Sequence, residues 1–295
     1  MKFARLVSGA LWLIGLLAGT LGESHASPMP RRAAGYWILA ADFHVHAFPG
    51  DGALPPWVLR REIARAGLDV FTLSNHNRVS TARTARWLAR DSDGPIVIVG
   101  QEVTARGYHM IAAGIEERVS WETRAVDAIK AVHAQGGVAI AAHPVRRFLP
   151  AWDDEALAIL DGYERAHPVM ELDERSNVEL ASFDMHVRER RPHIATIGSS
   201  DFHWIGALGW CRTYVLARER TQAGVLEAVR EGRTVAADAH GRLYGDPQLV
   251  AIVDAAGGFI PARPADRWPR FSVLAAWLGL LGMLMVGGNP KPASR

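Results

Sequence analysis

Short apolar runs that end in histidines or carboxylates are the feature that most constrains how this chain can fold. The run over 38–45 closes in Asp42-Phe-His44-Val-His46, and Asp51 follows in the loop Pro49-Gly-Asp-Gly52. The run over 70–73 leads into Ser74-Asn75-His76-Asn77, and that over 96–99 into Gly100-Gln-Glu102. His109 opens 109–114, His143-Pro144 closes 138–142, and 194–198 leads into Ser199-Ser-Asp201-Phe-His203. A last run spans 213–216. Between them, 56–66, 80–90, 123–135, 154–160, 177–190 and 221–231 have helical patterning, with Gly136-Gly137 and Gly232 placed as C-caps. Strand and helix in alternation predict an α/β fold. In a parallel α/β barrel the C-terminal strand ends converge on one mouth, which is where these polar residues would collect.

Imidazole and carboxylate together are the ligand set of Zn, Mn or Fe. Residues i and i+2 of a strand share a face, so His44 and His46 are expected to project together, as are Asp201 and His203. A lone His-x-His is weak evidence. The remaining positions, in this order along one chain, turn it into a prediction of a metal centre.

Composition narrows the alternatives. The 33 Lys+Arg against 31 Asp+Glu leave a formal charge of +2, which argues against bulk nucleic-acid binding. One cysteine, Cys211, excludes an intrachain disulfide framework and a cysteine-cluster zinc site. Only Lys2, Lys130 and Lys291 are lysines, so arginine supplies nearly all the positive charge.

The ends have a different character. Lys2 and Arg5 precede an uncharged stretch over 6–21 and then Ser24-His25-Ala26, which reads as a secretory signal over 1–26, with an uncleaved anchor as the alternative. Residues 271–288 carry no charge; as a helix of ~1.5 Å per residue they would just cross a ~30 Å hydrocarbon core, and a C-terminal membrane anchor is expected there after a linker over 251–270. Both readings place the domain over 36–250 outside the cytoplasm.

The motifs Asp42-x-His44-x-His46 with Asp51-Gly52, Asn75-His76-Asn77, Gly100-x-Glu102, His109, Ala142-His143-Pro144 and Ser200-Asp201-x-His203 resemble the PHP (polymerase and histidinol phosphatase) metallo-phosphoesterases. The resemblance spans roughly residues 40–245, including Gly232-Arg-Thr-Val-Ala236. It implies a distorted (β/α)7 TIM-like barrel with two to three divalent ions at its mouth. His44, His46, Glu102 and Asp201 would hold the first ion; Glu102 would bridge to a second held by His109 and His143; Asp51, His76 and His203 would hold the third. Asn75 stands where the family usually has Asp, and is expected, like Asp42, to support the ligands, orienting His76. The implied reaction is hydrolysis of a phosphate monoester or diester, a small molecule or an oligonucleotide, by a metal-bound hydroxide, with Glu102, His143 and Asp201 central to catalysis. Arg146 and Arg147, then Arg78 and Arg106, are the candidates for holding phosphate oxygens.

Two other readings compete. Amidohydrolases also begin with His-x-His, but their binuclear members bridge metals with a carbamylated lysine at a strand end, and Lys130 falls within the helical stretch 123–135. A non-catalytic, membrane-tethered metal-binding domain would be expected to have lost a ligand, and every ligand position is filled. Tyr163, Glu164 and Glu171 follow a place where a further strand could end and are kept as mouth candidates. His133, His167, His186 and His193 fall on no motif position, and His240 is a weaker substrate-contact candidate.

Overall fold

The computed structural model describes residues 2–21, 31–90, 93–171, 174–203, 208–257, 277–279 and 281–282. The chain divides into two compact units, one of residues 27–262 and one pairing 1–26 with 263–295. In the terminal unit, Lys2–Leu21 forms one helix, α1. The span expected over 271–288 lies mostly outside the described residues; 277–279 and 281–282 are helical. Among the described residues no helix is long and apolar enough to cross a membrane, so the expected anchor finds no support.

The larger unit begins with β1 (Arg31–Ala33) and β2 (Tyr36–Val45), then α2 (Pro56–Arg65), β3 (Val70–Leu73), α3 (Ser80–Ala89), β4 (Ile96–Ala105) and β5 (Tyr108–Ala113). It continues with α4 (Ala125–His133), β6 (Val138–Ala141), α5 (Asp154–Ile159), β7 (Gly162–Ala166), α6 (Glu174–Arg190) and β8 (Ala195–Gly198). It ends with β9 (Arg212–Ala217), α7 (Gln222–Arg230), β10 (Thr234–Ala237), β11 (Leu243–Gly245) and α8 (Pro247–Ala255). One sheet runs in the order β11-β10-β9-β2-β3-β4-β5-β6-β7-β8, with β1 paired to β2.

This corrects the expected parallel barrel in one respect. The pairs β2–β3, β3–β4, β6–β7 and β7–β8 are parallel, but β4–β5, β5–β6, β2–β9 and β9–β10 are antiparallel. The reason is local: β4 and β5 are joined by the two-residue turn Arg106-Gly107, too short for a crossover, so β5 must fold back on β4.

The sheet curls into a nearly closed barrel. Leu39, Ala41 and Phe43 of β2 pack with Val70, Ile98, Ile111, Ile140, Ile197 and Val215 in one cluster, together with Val225 and Val229 of α7. Ile38 and Ala40 pack instead with Leu59, Ile63, Ala82, Val126 and Ile129 from the surrounding helices. Between β8 and β9 no backbone ladder runs. Across the seam Thr213 Oγ1 accepts from Gly198 N and donates to Gly198 O, both at 2.9 Å, and just beyond β8 His46 N donates to Phe202 O at 2.9 Å. Glycine is required at 198, where a Cβ would sit 2.2 Å from the Arg212 carbonyl oxygen.

Candidate metal centre

Alternation alone would send His44 and His46 outward with Ile38 and Ala40. A register shift in β2 between Asp42 and Val45 reverses this. After it, Val45 joins the helix-side cluster and the two histidines turn into the barrel mouth, fully buried. Glu102 arrives from β4, and His109 from β5 through the hairpin register that pairs Thr104 with His109 and so sets it diagonal to Glu102. His143 and Asp201 follow β6 and β8 in left-handed backbone, with φ of 28° and 48°. Such conformations cost roughly 1–3 kcal/mol and persist where the surroundings hold them in place.

Four buried atoms carry the observation that matters most. His44 Nε2, His46 Nε2, Glu102 Oε2 and Asp201 Oδ1 all lack a hydrogen-bond partner. Each nitrogen lies 3.1–3.4 Å from each oxygen. A tetrahedron of donors ~2.0–2.1 Å from a central ion has edges of about 3.3–3.4 Å. Unsatisfied buried polar atoms cost about 1–3 kcal/mol each, and two imidazole nitrogens facing two carboxylate oxygens at that spacing fit a divalent cation.

The other expected ligands gather around the same glutamate. Glu102 Oε1 is 2.6 Å from His109 Nδ1 and 3.2 Å from His143 Nε2. Asp51 Oδ2 is 3.1 Å from His76 Nε2 and 3.3 Å from His203 Nε2, and its Oδ1 is 3.1 Å from His46 Nδ1. His76 Nδ1 reaches Glu102 Oε2 at 2.7 Å, which joins this group to the first. Donor sets His44/His46/Glu102/Asp201, His46/Asp51/His76/His203 and His76/Glu102/His109 each lie within 4.8 Å.

Charges set one another here. Burial alone would raise Glu102 and Asp201, but for Glu102 His44, His109 and His143, and for Asp201 His44 and His167, outweigh it and hold both carboxyls well below the ordinary range. Burial alone would lower His44, yet Asp201, Glu102 and Glu164 raise it well above its ordinary value. The cavity thus has a strong appetite for positive charge, met by protons on histidine when nothing else supplies it.

The supporting residues are partly as expected. Asp42 Oδ1 accepts from His44 N at 3.2 Å and Ser200 N at 3.1 Å, and its Oδ2 from Gly209 N at 3.2 Å, so it ties the His-x-His segment to the Asp201 loop. Asn75 does not orient His76. Its Oδ1 accepts from Ala47 N, and its Nδ2 donates to the carbonyls of Ala47 and Pro49, pinning the loop that presents Asp51. A carboxylate could accept the first bond but not donate the other two.

The four arginines are the misplaced expectation. Arg78, Arg106, Arg146 and Arg147 are all exposed, and none lines the cavity of about 420 Å³ at the mouth. Arg106 sits in the β4–β5 turn, and Arg147 stacks over Phe148, 4.8 Å from the ring centroid. Phe148 in turn covers His109 at 4.0 Å between centroids.

Two residues of the mouth were under-read. Glu164, kept only as a mouth candidate, is fully buried: its Oε1 accepts from His44 Nδ1 at 2.9 Å, its Oε2 from His143 N at 2.7 Å. His167 lines the cavity beside Asp201 and, with His44, His143 and Glu164, makes a further donor group. The signal available was the strand-end position after Gly162 that had flagged Glu164. Lys130 is exposed on α4, Cys211 is buried in a small apolar cluster, and His240 is exposed and off the cavity.

Comparison with known proteins finds likeness in one segment of the sequence and in the fold. A family model described as PHP-associated matches residues 186–234. An uncharacterized protein of Methanocaldococcus jannaschii is 24% identical over 139 residues, covering 43% of this chain and 80% of its own length. A two-domain protein of Bacteroides vulgatus containing a PHP-like metal-dependent phosphoesterase superposes with a TM-score of 0.62 at 23% identity, over 79% of this chain and 74% of that one. An amidohydrolase of Chromobacterium violaceum, with bound sulfate and no metal, reaches 0.45 at 18% identity over 56% and 88%, too distant to weigh for either chemistry.

Proposed function

From a chain that resembles the PHP-domain family in its motifs, its fold and its PHP-associated segment, we propose a metal-dependent phosphoesterase. The observation that carries this reading is the group of four buried, partnerless donor atoms at tetrahedral spacing, opening on a cavity of small-molecule size. Divalent ions held there supply Lewis-acid stabilisation of phosphoryl oxygens and the lowered water pKa that hydrolysis near neutrality needs.

The chain's own residues do the rest. Glu102 presents Oε2 to one donor group and Oε1 to His109 and His143, which suits it to bridge two ions. Glu164 fixes His44 with its Nδ1 as donor and so leaves Nε2 free to ligate. Phe148, Val145, Pro168 and Val169 wall one side of the cavity and limit the water beside the reacting ester. The roles of Glu102, His143 and Asp201 in catalysis belong to this proposal. Lys130, exposed on α4, leaves no lysine to bridge ions, which favours this reading over a binuclear amidohydrolase.

The test is to purify the protein, measure bound metal, and assay phosphomonoesters and phosphodiesters with Mn or Zn. Hydrolysis of one class that disappears in His143→Ala is expected. A metal-replete protein that hydrolyses neither class would overturn the proposal. Export is a separate proposal resting on Lys2, Arg5 and the apolar stretch 6–21; an alkaline phosphatase fusion after Pro264, inactive in the cytoplasm, would refute it by staying silent.

A further inference from the structure

His167 follows β7, is only 5% exposed, and lines the cavity beside the four-atom donor group. Its two nitrogens have different surroundings. The backbone N–H of Val169 donates to Nδ1 at 3.1 Å. An imidazole nitrogen that accepts a hydrogen bond carries no proton, so the neutral ring must carry its proton on Nε2. That Nε2 is buried and has no hydrogen-bond partner; Asp201 Oδ2 lies 3.6 Å away and Glu164 Oε2 3.8 Å, both beyond bonding distance.

This tautomer decides between two uses of the residue. His44, His143, Glu164 and His167 stand close enough to suggest a further ion site. A protonated Nε2 has no lone pair to offer a metal. Both Glu164 oxygens are already engaged, by His44 Nδ1 and by His143 N. What remains is a buried N–H, nearest to the carboxylates of Asp201 and Glu164, on a residue that lines a cavity with no lysine or arginine among its described lining residues.

We propose that His167 is a substrate-anchoring residue, its Nε2–H donating to a non-bridging oxygen of the bound phosphoryl group in place of the arginine fork expected from the sequence. The proposal rests on the phosphoesterase reading, but its test does not require turnover. Zinc-loaded protein, freed of excess metal, is titrated with inorganic phosphate by calorimetry, and its zinc content is measured for wild type, His167→Leu and His167→Gln. The Leu variant is expected to keep its zinc and bind phosphate about tenfold more weakly, as loss of one hydrogen bond to an anion implies, while Gln, which retains an N–H donor, recovers most of the affinity. Loss of zinc in the Leu variant with phosphate affinity per bound ion unchanged would make His167 a ligand or a prop for Asp201, and would overturn the proposal. Unchanged zinc and unchanged phosphate affinity would overturn it equally. Should the Leu variant fail to fold, imidazole ¹⁵N spectra of the wild-type zinc protein decide: a proton on Nε2 whose resonance moves on adding phosphate is expected, and a proton on Nδ1 refutes it. A protein that binds phosphate through His167 yet hydrolyses no ester would sink the phosphoesterase reading alone. Ester hydrolysis with wild-type phosphate affinity in His167→Leu would sink this proposal alone.

Discussion

At the scale of single residues, two of the candidate ligands are braced by one buried carboxylate. Glu164 engages His44 through one oxygen and the His143 backbone through the other. Glu164→Gln leaves one acceptor where two are needed, so metal affinity should fall about 10–100-fold with the fold intact. Competition with a chromophoric chelator measures it, and unchanged affinity would show the pair to be incidental. Asp69 gives a residue-level test of pH dependence away from the ligands. Burial pushes its carboxyl up to about 6 although it accepts a hydrogen bond from Ala40 N. The folded chain therefore holds this proton more tightly than the unfolded chain does. The associated stability is complete below about pH 4 and is lost as pH rises through about 6, a swing of up to ~3 kcal/mol. Asp69→Asn should flatten that decline; denaturant titrations of both proteins at pH 4, 5, 6 and 7 check the difference.

At the scale of elements, the weakest join is between β8 and β9, where Thr213 replaces a ladder. Thr213→Val keeps the shape but leaves a buried N–H and a buried carbonyl at Gly198 without partners, which should cost ~2–4 kcal/mol. Asp201 follows β8 closely, so the same variant should also bind metal more weakly; full affinity at reduced stability would mean the loop is held independently, through Asp42. How legible each element was depended on its chemistry. The nine expected ligand positions stood out because they cluster at the ends of apolar runs of ordinary length, His109 at the start of one, and the structure brings their side chains together. β7 was barely visible because Gly162-Tyr-Glu-Arg-Ala lacks an apolar alternation, and Glu164 and His167 were under-read with it. The register shift in β2 leaves no mark in the residue pattern, so the direction of His44 and His46 had to be seen. The arginines were chosen by nearness in sequence, but all four are exposed and outside the lining of the cavity.

For the whole molecule, the metal-free centre stores protons where ions would sit. Zinc binding at pH 7 should release at least one proton, since Asp201, Glu102 and Glu164 outweigh burial and hold His44 well above its ordinary value. Calorimetry in two buffers of different ionisation enthalpy counts it, and a count of zero would mean the charges are arranged otherwise. The donors of the first group come from the end of β2, from β4 and from the loop beyond β8, so an ion held by them would add to the Thr213, Asp42 and His46 bonds that tie β8 and its loop across the seam. A chain emerging during synthesis has His44, His46 and Glu102 long before Asp201, and lacks Thr213 until later still. Tight metal uptake must therefore wait until the last strands have been made and seated. An ion held by all four would then act as a check on assembly, since a barrel whose last strands are misplaced would present His44, His46 and Glu102 without Asp201.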